Sequence, residues 1–192
     1  TVAQRYIRGN IFSADLNGAQ KAFQALPWID KAQVRRRLPD VVEIHLTERE
    51  PVARWKAAGL VDANGNIFQA ATTETFPEFD GQPGTAKTMV AHYQEFSGLL
   101  KPAGLSIAKL EYTPRSAWSV VLDNGITVRL GREHENARLQ QFAAVWPGIL
   151  RAQQSGLAYV DMRYKDGFAV RERAPSEMPS ETAASAADHN QQ

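Results

Sequence analysis

Apolar residues first recur at helical spacing, at Leu16, Ala19, Phe23 and Leu26, directly behind an aspartate, Asp15, that can cap the helix. Pro27 ends that element. The period then drops to two. AQVRRRL (32–38) and VVEIHLTE (41–48) are joined by a Pro39-Asp40 turn. In the second run Val42, Ile44 and Leu46 share one face, while Glu43, His45 and Thr47 share the other. This pattern predicts a half-buried antiparallel hairpin packed on the preceding helix.

The character changes after Pro51. PVARWKA leads to LVDANGNIFQA, in which Ala63-Asn64-Gly65 predicts a hairpin turn, and a loop rich in Thr, Pro and Gly spans 72–85. A helix is expected over 86–101, with Met89, Tyr93, Phe96 and Leu100 on one face and Pro102 with Gly104 closing it. Three strands follow, LSIAKLEYT, SAWSVVL and ITVRL, and Asp123-Asn124-Gly125 marks a tight hairpin between the last two. A second long helix is expected over 134–154. Leu139, Phe142, Ala143, Trp146, Ile149 and Leu150 form its core-facing stripe, and Pro147 should kink it.

The last patterned stretch is YVDMRYKDGFAV (159–170). Ala158, Val160, Met162 and Tyr164 alternate onto one face, and Phe168 with Val170 continue the apolar pattern past a turn at Asp166-Gly167. The stretch reads as a terminal hairpin whose edge no later strand can cover, because PSEMPSETAASAADHNQQ is too polar to fold over it. The tetrapeptide GNIF occurs at 9–12 and 65–68 with unlike flanks, which is coincidence and not a repeat.

Composition narrows the function. The 192 residues carry 22 basic and 21 acidic side chains, so no general field draws the chain to nucleic acid or an anionic membrane. Arg35-Arg36-Arg37, with Arg5 and Arg8, reads as a solvated face because no aromatics are interleaved with it. The absence of cysteine removes thiol catalysis, disulfides and zinc–thiolate sites. No run approaches the roughly 20 apolar residues of a membrane span. TVAQRYIRGN reads as the end of an element already under way, which predicts a fragment of a longer chain.

Candidate chemistry is sparse. His134-Glu135 lacks a second histidine, since position 138 is Arg, and His45, His92 and His189 stand apart. Asp62, Asn64 and Asn66 alternate as in a calcium loop, but Ile67 and Thr73 occupy the positions that need Gly and Glu. No nucleophile elbow, phosphate loop or dinucleotide fingerprint occurs. The expectation is a non-enzymatic binding protein with no cofactor and no metal.

One ordered set of motifs is specific. It comprises Leu26-Pro27-Trp28-Ile29, Val34-Arg35, Pro39-Asp40, His45-Leu46, Glu48, Pro51, Ala53-Arg54-Trp55, Val61-Asp62, Gly65-Asn66, Leu130-Gly131-Arg132 and Tyr159-Val160-Asp161-Met162-Arg163-Tyr164. In that order, over about residues 9–171, the chain resembles the FtsQ/DivIB family of bacterial division proteins. The resemblance implies an α+β fold. A partial POTRA domain (1–50, helix plus antiparallel hairpin) would precede a mixed β domain (51–173, antiparallel sheet with two long helices) and a disordered polar tail (174–192).

The resemblance also implies a single-pass anchor upstream and a place on the periplasmic face of the inner membrane, at the division septum. It implies a scaffold of the divisome whose POTRA part contacts other division proteins. Its last strand would bind FtsB, within the FtsB–FtsL pair, by strand addition. The residues it nominates for that contact are Tyr159, Arg163, Tyr164, Asp166, Gly167, Phe168, Val170 and Arg115. Where some relatives carry an aromatic after the last strand, this chain has Arg171-Glu172-Arg173, so that the anchor is either missing here or replaced by Phe168. The competing reading is a POTRA module of outer-membrane protein assembly or secretion. Such chains carry repeated POTRA units and a barrel, whereas here one unit precedes a mixed domain with two helices.

Overall fold

The computed structural model describes Tyr6 and residues 14–56, 58–165 and 167–173. The expected polar tail, the opening TVAQR and Asp166 lie outside the described residues. Contacts divide the chain into two compact units, one running to Gln94 and including Lys109–Pro114, the other formed by Glu95–Ala108 and the chain from Arg115 onward.

In the first unit, α1 (Leu16–Gln24) starts where Asp15 accepts the Gly18 amide at 2.9 Å. It packs Ala19 and Phe23 against Ile29, Ala32 and Val34 of β1 (Ile29–Arg37). β2 (Val41–Glu48) pairs antiparallel with β1, and its Val42 and Ile44 close the cluster from the side. Leu26 and Leu46, expected on the covered faces, are largely exposed. Leu26 lies past the end of α1, in the turn that Pro27 forces.

β3 (Pro51–Trp55), β4 (Gly59–Asp62) and β5 (Ile67–Phe68) form a meander. β6 (Glu78–Asp80) pairs parallel with β3, and β7 (Ile107–Tyr112) pairs parallel with β6. The parallel pairing of β6 and β7 is reached through α2 (Ala86–Leu100), since a parallel return needs a crossover. Residue contacts do not separate the helix–hairpin segment from β3–β6 at Pro51. A joint explains this. The Arg49 side chain donates to the Ile29 carbonyl and to Asp62 and lies over the Phe68 ring, which Trp28 meets edge-on at 5.6 Å.

In the second unit, β8 (Trp118–Leu122) and β9 (Thr127–Gly131) form the expected hairpin, with Gly125 at φ +80° in its turn. β10 (Leu157–Asp161) pairs parallel with β9, and β11 (Ala169–Glu172) pairs antiparallel with β10. Among the described residues the strand order is β8-β9-β10-β11, with β11 at the edge.

The crossover from β9 to β10 is α3 (Glu135–Val145), shorter than the expected helix over 134–154. At Trp146 the helix widens. The Arg151 amide bonds to the Trp146 carbonyl, a π turn over Trp146–Leu150, and a 3-10 stretch over Arg151–Gly156 follows. Pro147 offers no amide and its ring crowds the preceding turn, which is the physical cause. The extra residue in the turn rotates the stripe. Leu139, Phe142, Trp146 and Leu150 stay buried, but Ile149 is 54% exposed. Ile149→Ala should therefore change the unfolding free energy by no more than about 0.5 kcal/mol, as a surface substitution does. Chemical denaturation measures it, and a loss above about 2 kcal/mol would put Ile149 back in the core.

Candidate functional site

The candidate site is the end of the second unit, where strand β10 gives way to β11. The expected alternation stops early. β10 ends at Asp161, which faces Ala169 across the ladder, so seven residues, 162–168, connect the two strands. A side chain ends the strand although β9 runs on to Gly131: the Asp161 carboxylate accepts the Arg163 amide two residues on. That side-chain turn replaces the next rung of the ladder. Met162 is buried and donates its amide to the Arg129 carbonyl at 2.9 Å, as expected for a core residue.

Tyr164 therefore does not share a strand face with Val160 and Met162. It lies in the connecting loop, 61% exposed. Phe168 and Gly167 are half-buried and Val170 is 46% exposed on β11. Of the nominated residues, Asp166 is outside the described residues. Tyr159 is not an open aromatic surface. Guanidiniums from both flanking strands reach its ring, Arg129 at 4.0 Å and Arg171 at 5.9 Å from the centroid.

Arg163 is exposed but bound. Its Nε and Nη2 clamp the buried Asp161 carboxylate at 2.8 and 2.6 Å. The Arg163 side chain, its amide and the Arg163 and Arg129 charges hold the Asp161 carboxyl below its usual pKa against the opposing effect of burial. Arg163 in turn is pushed up, first by its bonds to Asp161.

Arg163 also lines a pocket of about 460 Å³ with Arg115, Arg132, Arg138, Glu133, Ala117 and Gly131. Arg138 donates to the Leu130 carbonyl, which turns its guanidinium into this pocket's wall. Four cations against one carboxylate make the pocket fit for an acidic side chain. Arg115 was expected here from the sequence. Arg132 and Arg138 were not, and the cue available was the Leu130-Gly131-Arg132 turn, whose glycine lets backbone and guanidiniums approach.

The calcium-like alternation at Asp62 is a turn. The buried carboxylate accepts the Asn64 and Asn66 amides at 2.9 Å each and the Asn66 side chain at 3.0 Å. The arginine run at 35–37 is partly engaged, Arg37 with Glu43 and Arg36 with the Ala14 carbonyl.

A family model described as the FtsQ-type POTRA domain matches residues 1–49, and one described as the C-terminal part of cell division protein FtsQ/DivIB matches residues 53–163. The chain belongs to the FtsQ/DivIB family. It is 53% identical over 180 residues to cell division protein FtsQ of Neisseria gonorrhoeae, covering 93% of this chain and 74% of the relative. It is 54% identical over 172 residues to its counterpart in Neisseria meningitidis, covering 89% and 73%. With FtsQ of Xanthomonas campestris the identity is 37% over 171 residues, covering 88% and 61%.

The fold is α+β as expected, a POTRA segment followed by mixed sheet and helices. The FtsQ/DivIB match stops at Arg163, so the exposed Tyr164 and the whole of β11 lie beyond it. Among the described residues no helix is long and apolar enough to cross a membrane.

Proposed function

We propose that this chain is a non-enzymatic scaffold of the bacterial division complex, that it presents the β11 edge to FtsB within the FtsB–FtsL pair, and that its POTRA segment, to about residue 50, engages other division proteins. The observation that carries this reading is a strand that has one neighbour among the described residues, bearing an exposed valine, next to an exposed tyrosine and a pocket lined by four arginines. Backbone pairing along the edge supplies affinity, and the tyrosine and the cations supply selectivity. An upstream single-pass anchor would place the chain on the periplasmic face of the inner membrane at the septum.

The test is calorimetric titration of the chain with the periplasmic parts of the FtsB–FtsL pair. Saturable 1:1 heat supports the reading, and no heat at micromolar concentrations removes it. Arg115→Glu should lower the association rate by about tenfold at low salt, with a smaller salt dependence, because Arg115 is exposed and acts through the field at the pocket. Stopped-flow association at two ionic strengths measures this. An unchanged rate would place the partner away from the pocket.

A further inference from the structure

β11 is an improbable strand by itself. It has four residues, no residue that is fully buried and, among the described residues, one neighbouring strand. Its register with β10 is broken by a bulge between Leu157 and Tyr159. So short an edge element gains little from apolar burial, and strands of this kind open at low free energy.

Two arginines on β11 and just after it reach back into the sheet. Arg171 faces Tyr159 in the ladder and extends its guanidinium to that ring, which Arg129 of β9 also approaches. One ring on the middle strand thus ties both neighbours to it. Arg173 reaches further. Its amide donates to the Gly156 carbonyl at 2.7 Å, and its Nη2 meets the Asn124 carbonyl at 3.4 Å in the turn between β8 and β9. The same Nη2 stands 2.8 Å from where a Cβ on Gly125 would be, so the glycine leaves room for the guanidinium as well as accepting φ +80°.

We propose that Tyr159 with Arg171, and Arg173 on the β8–β9 turn, are positioning residues that fasten β11 into the sheet before any partner arrives, so that the docking edge is a preformed template. The proposal rests on the reading of β11 as the docking edge, and it assigns the Arg171-Glu172-Arg173 segment a role toward the chain itself. A strand already in place spares the partner the cost of ordering it, and that cost would otherwise be subtracted from the binding free energy.

Residue-resolved amide hydrogen exchange on the free chain tests it. The β11 amides that point to β10 should exchange at least about thirtyfold slower than unstructured amides, while those that point outward exchange fast. The outward amides should gain protection only when the FtsB–FtsL pair is added. Arg171→Ala and Arg173→Ala should each speed exchange of the inward amides about fivefold, and the double variant about twentyfold. Exchange in β8 and β9 should stay as in the parent chain, which shows that the fold persists. Tyr159→Phe should keep the protection because the ring is retained, and Tyr159→Leu should lose it.

Inward amides of the parent chain exchanging at the unstructured rate would overturn the proposal, and so would unchanged exchange in the double variant. The full pattern of protection without any binding of the pair would support the fastening and overturn the docking reading, so the two fail separately.

Discussion

Tyr164→Ala should weaken binding of the FtsB–FtsL pair by at least about tenfold while leaving the melting temperature within about 1 °C of the parent. Tyr164 stands 61% exposed in the loop between β10 and β11, so its ring adds little to the core. Met162, two residues earlier and fully buried, belongs to the core and makes the natural control. Met162→Ala should cost about 3 kcal/mol of stability through the cavity it leaves. A large aromatic held in water beside an open edge is well placed to become the buried centre of an interface, where truncation costs about 2 kcal/mol or more. Removing everything from Gly167 onward deletes β11 and should abolish binding altogether. Parent-like affinity in either variant, measured by calorimetry, would sink the docking edge.

Local chemistry made much of this architecture legible. The Asp15 cap, the Asn64-Gly65 and Asn124-Gly125 turns, and Ala19 and Phe23 of the α1 stripe with Met89, Phe96 and Leu100 of the α2 stripe, are short-range signals, and each sits where its residues predict. What stayed hidden depends on groups distant in sequence or on a side chain competing with the ladder. Tyr164 continues a faultless alternation, but Asp161 caps the strand with its own carboxylate and ends it three residues sooner. Ile149 fits a helical stripe that Pro147 unwinds. The parallel pairing of β10 with β9 has no local signature, because a parallel strand is placed by its crossover. The cationic pocket joins Arg115, Arg132, Arg138 and Arg163, four arginines that no sequence spacing relates. Tyr159 read as a contact residue from its place in the motif, and only the sheet reveals the arginines that cover it.

Asp62→Ala should destabilise the chain by about 3 kcal/mol, and the loss should be tied to acid sensitivity. The carboxylate is buried in the β4–β5 turn and accepts four bonds, from the Asn64 and Asn66 amides, the Asn66 side chain and the Arg49 guanidinium at 3.2 Å. Alanine would orphan two turn amides and leave Arg49, only 21% exposed, without its counter-charge in the joint with Trp28 and Phe68. Burial raises the Asp62 pKa, but the bonds from Asn66 and Asn64 and the Arg49 charge together hold it below its usual value of 3.8. A carboxyl with a depressed folded pKa stabilises the fold above its unfolded value and loses that contribution as pH falls through the folded one. Asp161 shifts the same way, so stability should be flat between about pH 5 and 7 and fall below about pH 4. Denaturant unfolding followed by tryptophan fluorescence across that range measures both effects. The Asp62→Ala chain should start about 3 kcal/mol lower at pH 7 and show a shallower acid slope, because one of the two depressed carboxyls is gone. A variant within about 1 kcal/mol of the parent would mean that water satisfies the turn and that Arg49 does not depend on Asp62 to hold the joint.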